Sequence, residues 1–362
     1  MLAIGKSNRG DVGPVNTRRT FFLAGLVLAA ALVVAVMPAL AQSGDDCPTC
    51  PVSFTGPSTL DPHSPSMLEI NKLFDFILVM AGLVFVLVEG ALILTVLRFR
   101  NRPAGEAVQI HGNTKLEIAW TAVPGVILAV LLGFTLRTMA VVRAPVTGDS
   151  IKVVVIGHQW WWEFQYPELG IITANQLVVP VGTPVEVELH SRDVQHGFWV
   201  PQLFGKMDAV PAHTNRMHFT VDSAGEYGGQ CTQFCGEEHA QMRFSVVGVS
   251  AAEFQAWAAN QQQPAPAPSG DAATRGQKAF MSGACVSCHT IGGTSAAGKI
   301  GPNLTHLASR NFIAGGVLYL TEDNLKLWIQ NPQAIKVGVL MPNLGLAPDT
   351  VSDVAAYLST LK

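Results

Sequence analysis

The chain has 362 residues, of which 49% are hydrophobic and only 14% charged, with a formal net charge of −3. That length admits more than one domain, and a mean hydropathy of +0.31 excludes an ordinary soluble enzyme in favour of a chain with membrane segments. The nearly balanced charge offers nothing that would attract nucleic acid.

The first 41 residues read as an export signal. Arg18 and Arg19 precede an apolar run from Phe21 to Val36, and small residues lead to Ala41 before Gln42. "TRRTFFL" is compatible with either a general secretory or a twin-arginine signal, and an uncleaved third helix is the alternative. Residues 42–70 form an exported N-terminal segment. Its pair Cys47/Cys50 reads as a local disulfide, or as a metal pair without evident partner ligands.

Two longer apolar runs follow, Phe76–Leu97 and Ile118–Met139. At 1.5 Å per residue each crosses a hydrocarbon core of roughly 30 Å. The loop between them holds Arg98, Arg100, Arg102 and Lys115, and short positive loops stay in the cytoplasm. Residues 71–143 are therefore expected to form a transmembrane helix hairpin with both ends outside. Glu89 is expected to face a partner helix rather than lipid.

From Ile151 the pattern becomes short β-type runs punctuated by Gly, Pro, Asn and Asp, the signature of an all-β sandwich or barrel. "VEVELH" alternates cleanly, so one face is buried. Alternation places Trp160 and Trp162 on one face and Trp161 on the other. "SRDVQHGFWVP" puts His196 on a turn between apolar stretches. The domain spans residues 144–260 and closes with a short helix after Ser250. Residues 261–270, "QQQPAPAPSG", read as a semi-extended linker. Residues 271–362 form a last module, with helices near 272–282, 321–330 and 349–361.

Two cysteine clusters remain. "CVSCH", Cys285 to His289, has the spacing of a c-type haem attachment site: two thiols for the vinyl groups and an adjacent histidine for the iron. A redox CxxC and half of a zinc site are the rivals. Met341 is the favoured second axial ligand and His306 its competitor. "CTQFCGEEHAQM" places Cys231, Cys235, His239 and Met242 on one loop between two strands. Soft thiolates and a thioether with imidazole suit copper, and His196 offers a second imidazole. A Cys231–Cys235 disulfide and a single-copper site are the alternatives.

"GHQWWWEFQYP", "SRDVQHGFWVP", "KMDAVP", "CTQFCGEEHAQM" and "TKLEIAWTAVP" together resemble cytochrome c oxidase subunit II, in order, from about Asn71 to Val249. "GPNL" at Gly301–Leu304 and "MPNLGL" at Met341–Leu346 resemble class I cytochrome c. The whole is therefore similar to the fused subunit II of caa3-type oxidases. That resemblance implies a two-helix hairpin, a cupredoxin-like β domain and a small all-α cytochrome c domain.

It also implies a dinuclear copper centre, CuA, bridged by Cys231 and Cys235. His196 and His239 would each bind one copper, with Met242 and the carbonyl of Gln233 as further ligands. Cys285, Cys288, His289 and Met341 would carry a covalent haem c. Trp160 matches an exposed tryptophan that receives electrons, and Glu117 the mouth of a proton channel or, more simply, a helix-start carboxylate.

The implied function is electron transfer from haem c through CuA to catalytic subunit I, where oxygen is reduced to water with proton pumping. Implied partners are that subunit, other oxidase subunits and a cytochrome c-type donor. The implied location is the bacterial inner membrane, with both redox domains outside. The family usually has glutamate at position 233, where it helps bind magnesium. A neutral amide is a poorer ligand for a hard cation, so that contact is not expected here. A copper-containing nitric oxide reductase subunit and a copper-handling protein are the alternative functions.

Overall fold

The computed structural model describes residues 58–101 and 111–362. The expected export signal and the Cys47/Cys50 pair lie outside the described residues. Helix α1 runs Pro65–Phe99 and α2 Thr114–Val142, and both begin before the apolar runs that announce them. The reason is capping. The Ser64 and Asn113 side chains accept the Met67 and Leu116 backbone N–H groups, and Pro65 suits a first helical turn. None of the most apolar window of α1, and 6% of that of α2, is buried by protein. Continuous apolar surface on this scale calls for a lipid or protein surround. Phe76 and Phe134 touch across the hairpin, ring centres 4.7 Å apart. At the top of α1, the Ser64 hydroxyl donates to Leu203 O and Met67 is buried, which ties the helix to the β domain.

The β domain is a sandwich of two five-stranded sheets. One contains β1 (Ile151–His158), β2 (Trp161–Tyr166), β3 (Ile171–Ala174), β5 (Val185–Ser191) and β8 (Asn215–Phe219), in the order β3-β2-β1-β5-β8. The other contains β4 (Gln176–Pro180), β6 (His196–Trp199), β7 (Met207–Ala209), β9 (Gly225–Cys231) and β10 (Arg243–Val249), in the order β4-β10-β9-β6-β7. Pairing is antiparallel except β1 with β5 and β10 with β4. The alternation expected at "VEVELH" is present on β5. Trp162, Phe164, Phe198 and Phe244 fill the space between the sheets, with Phe198 and Phe244 stacked at 4.5 Å. Helix α3 (Ala251–Gln261) starts from a reciprocal Ser250/Glu253 capping box.

The last module is helical, with α4 (Asp271–Ser282), α5 (Glu322–Gln330), α6 (Pro332–Ile335), α7 (Pro348–Leu358) and a small hairpin of β11 (Phe312–Ile313) and β12 (Leu318–Tyr319). Its own core includes Phe280, Leu325, Val354 and Tyr357. The segment 261–270 does not cross open space. Ala265 N donates to Gly292 O at 2.9 Å, and Gln263 O lies 3.0 Å from His306 Nε2, so the linker is laid along the helical module.

Candidate functional site: a thiol loop and an apolar cavity

Strand β9 ends at Cys231 and β10 begins one residue after Met242, so the loop between them is anchored at both ends by the sheet. His196 is the first residue of β6, rather than part of a turn. The pairing of "HGFW" with β7 and β9 makes it a strand, and the sequence run alone is too short to signal that. Gly197 permits the approach of the loop, since a Cβ there would lie 2.4 Å from Thr232 Oγ1 and 2.8 Å from Gln233 N.

The Cys231 and Cys235 sulfurs are 3.7 Å apart, well beyond a disulfide bond of about 2.05 Å, and both thiols are free and buried. His196 Nδ1 lies 4.0 Å from Cys231 Sγ, and His239 Nδ1 3.6 Å from Cys235 Sγ. Met242 Sδ is 3.9 Å from Cys235 Sγ, and the Gln233 carbonyl 3.2 Å from Cys231 Sγ. Donor atoms of His196, Cys231 and Cys235 lie within 4.8 Å of one another. Two soft sulfurs, a thioether and two imidazoles turned Nδ1-inward fit a soft transition metal, copper before any hard cation.

The two thiols behave as one titrating pair. The neighbouring Cys235 thiol, then His196 and the Gly197 and Gln233 backbone, hold Cys231 well below the ordinary thiol range. The Cys231 thiolate and burial push Cys235 up. A cation in this pocket would therefore displace a proton from Cys235. Burial opposes the charged form of His196, but its hydrogen bond to Asp193 and the nearby Cys231 outweigh it and raise its pKa. His196 Nε2 is 2.8 Å from Asp193 Oδ1, and Asp193 also accepts the Gln159 N–H. That contact fixes the ring with Nδ1 free for a metal.

The second site is an apolar cavity of about 310 Å³, lined mostly by the helical module and closed on one side by Gln159, Trp160, Trp161 and Asn175 of the β domain. Cys285, Cys288, His289 and Met341 all line it. His289 Nδ1 donates to Pro302 O at 2.8 Å, which leaves Nε2 unprotonated. Arg310 also lines the cavity, and its Nε is buried without a hydrogen-bond partner. A flat apolar group with carboxylates, attached through two thiols and capped by nitrogen and thioether sulfur, suits this lining; a haem has those features. His306 is not a competitor. It is buried, with Nδ1 2.9 Å from Lys362 O and Nε2 3.0 Å from Gln263 O, so it ties the chain end to the linker.

Trp160 differs from its expected exposure. It lies in the turn between β1 and β2 with 8% of its surface accessible, while Trp162 is wholly in the core. Its indole N–H donates to Cys235 O at 3.0 Å, and its ring lines the cavity of the helical module. It therefore touches both sites. Lys336, from the far side, donates to the Trp160 carbonyl at 2.8 Å, and burial lowers the pKa of its ammonium. Glu117 is exposed and accepts the Asn113 N–H at 3.3 Å, the geometry of a helix-start carboxylate. Asp193, Arg310 and Lys336 escaped the sequence reading. An acid three residues before a candidate histidine was a usable signal for Asp193. Lys336 meets Trp160 across 176 positions, which no local pattern encodes.

The chain matches the family model described as cytochrome C oxidase subunit II, periplasmic domain, over residues 169–249. It matches the corresponding transmembrane domain over residues 57–137 and cytochrome c over residues 273–362. Cytochrome c oxidase subunit 2 of Alkalihalophilus pseudofirmus is 35% identical over 314 residues, covering 84% of this chain and 91% of the relative. The protein of the same description from Bacillus subtilis is 33% identical over 289 residues, covering 74% and 81%. A crystal structure of the periplasmic domain of cytochrome oxidase subunit II from Bradyrhizobium japonicum is 28% identical, covers 33% of this chain and 97% of its own, and has a TM-score of 0.32.

Proposed function

Because this chain belongs to the cytochrome c oxidase subunit 2 family, we propose specific roles for the residues of its two sites. His196, Cys231, Cys235, His239, Met242 and the Gln233 carbonyl hold a dinuclear copper centre. Cys285 and Cys288 would attach a haem c, and His289 and Met341 would offer its iron a nitrogen and a sulfur donor. With a cytochrome c domain fused at its end, the chain is an electron-transfer subunit of a haem–copper oxidase, and the oxygen chemistry belongs to the catalytic partner. When bound, the two centres would supply one-electron redox chemistry for delivery to that partner.

The single observation that carries the ligand assignment is the pair of free, buried sulfurs 3.7 Å apart, each with an imidazole Nδ1 beside it. The chain's own residues do the rest. Asp193 orients His196, the two sheets hold the loop, and Phe198 and Phe244 keep water from behind it. Trp160 acts between the two centres rather than as a landing site for a soluble donor, since the helical module covers it. An external cytochrome c-type donor would then deliver to the haem module. The Gln233 side chain is exposed and neutral, which makes it a poorer magnesium ligand than a carboxylate. Both redox modules lie outside the cytoplasm, in keeping with the positive loop between α1 and α2.

Purified native complex is expected to show haem c bands together with near-infrared mixed-valence copper absorption, at two coppers per chain. A titration ending at one copper, or none, would refute the dinuclear assignment. Asp193→Asn is expected to weaken copper retention against a chelator by about 10–100-fold while leaving the haem bands in place. Undiminished retention would remove Asp193 from the account.

A further inference from the structure

We propose that Lys336 is a positioning residue that pins the haem module to the thiol-loop domain in one orientation, setting the geometry for transfer between the two centres. The residue caps the C-terminus of α6 and is 1% exposed, among the largest buried side chains of the described residues. Its ammonium donates to three carbonyls: Gln241 O at 2.7 Å, Trp160 O at 2.8 Å and Ala314 O at 3.1 Å. An ammonium has three N–H donors, so the set is complete. Two of the acceptors belong to the β domain, and they lie on the two segments that frame the thiol site. One is the β1–β2 turn that carries Trp160; the other is the residue before Met242. The third acceptor belongs to the haem module's own hairpin.

The surroundings are shaped for this contact. The hairpin turn has Ala314, Gly315 and Gly316 all at positive φ. A Cβ on Gly315 would come within 2.8 Å of Lys336 Nζ and 2.9 Å of Trp160 O, so only glycine leaves the ammonium its place. The same turn reaches the start of β10, where Arg243 N donates to Gly315 O at 2.9 Å. Asn311 adds a bond from its amide to Glu226 at 2.8 Å.

The physical effect is on orientation more than on affinity. Removing an ammonium from water is costly, and three carbonyls offset that cost only when all are reached together. A misaligned module would bury the charge with its bonds unmade, so alternative docked poses are selected against. The linker cannot supply this. A tether raises the local concentration of one module at the other, but it does not choose which face is presented. Electron transfer falls steeply with distance, so the choice of face matters.

This inference rests on the assignment of the two centres above, and the test separates their failures. Lys336→Met keeps an unbranched apolar stem and removes every donor. In the intact oxidase complex, amide exchange at Arg243 and across the 312–316 hairpin is expected to rise about tenfold or more, the scale of one lost charged hydrogen bond. Transfer from photoreduced haem c to copper is expected to slow by a similar factor and to become viscosity-dependent, with both absorption bands unchanged. Lys336→Ala should show the same loss and be partly restored by millimolar n-propylammonium, which replaces the missing stem and charge. Unchanged exchange in both variants would overturn the pin, whether or not the centres are loaded. Bands missing from the parent complex would instead overturn the assignment of the centres.

Discussion

Replacing Cys235 by serine is expected to abolish the near-infrared copper absorption and reduce oxygen consumption by the complex to background, with the haem c bands intact. Cys235 is the hub of the thiol loop. Its sulfur lies 3.7 Å from Cys231 Sγ, 3.6 Å from His239 Nδ1 and 3.9 Å from Met242 Sδ. A serine oxygen is a hard donor that keeps its proton, and soft copper is held by thiolate. Changes to groups that merely orient a ligand cost about 10–100-fold in metal affinity, so loss of a sulfur that would itself hold the metal should exceed that range. Metal analysis and oxygen electrode measurements on the purified complex would check both arms. Retention of the copper band would mean that Cys235 is not a ligand. Loss of the haem bands as well, in a protein that still folds, would mean that the two modules are not independent.

The second large effect belongs to Met341→Ala. Haem is expected to stay attached through Cys285 and Cys288, while its midpoint potential falls on the order of 100 mV, against an axial-ligand range of about 0.8 V. Met341 lines the cavity beside His289, and its loop is held by Gln333, whose amide donates to the Met341 carbonyl at 3.1 Å. A thioether stabilises the reduced iron, and alanine offers nothing in its place. Oxygen consumption should fall in parallel, because a lower potential makes the haem harder to reduce. Spectroelectrochemical titration would decide the point. An unchanged potential would require another axial ligand, and it would not be His306, whose two nitrogens face carbonyls at 2.9 and 3.0 Å.

Short-range chemistry was readable because it is written in short stretches. "CVSCH" and "CTQFCGEEHAQM" each place their side chains within one turn or loop, so spacing is enough to suggest the chemistry. The family match extends the same order of motifs across most of the chain. The hairpin helices were equally legible, because long apolar runs need no tertiary partner to be recognised. The strand at His196 was not, for a four-residue strand is made by its neighbours β7 and β9 rather than by its own pattern. The Pro/Ala composition of 261–270 suggests a linker, but its attachment to Gly292 and His306 comes from contacts that composition does not carry.

Trp160 shows where local reading ends. Strand alternation grouped it with Trp162, and both are buried, yet for different reasons. Trp162 points into the sandwich, whereas Trp160 lies in a turn and is covered by a module that follows the linker. The sequence by itself determined the short clusters, Cys231 to Met242 and Cys285 to His289, in which candidate donors lie close together along the chain; His196 and Met341 join them only through the fold. Only the tertiary structure decided how the two modules face each other. That decision rests on Lys336, Gly315 and Trp160, which are far apart in sequence and meet only when two separately folded cores are brought into register.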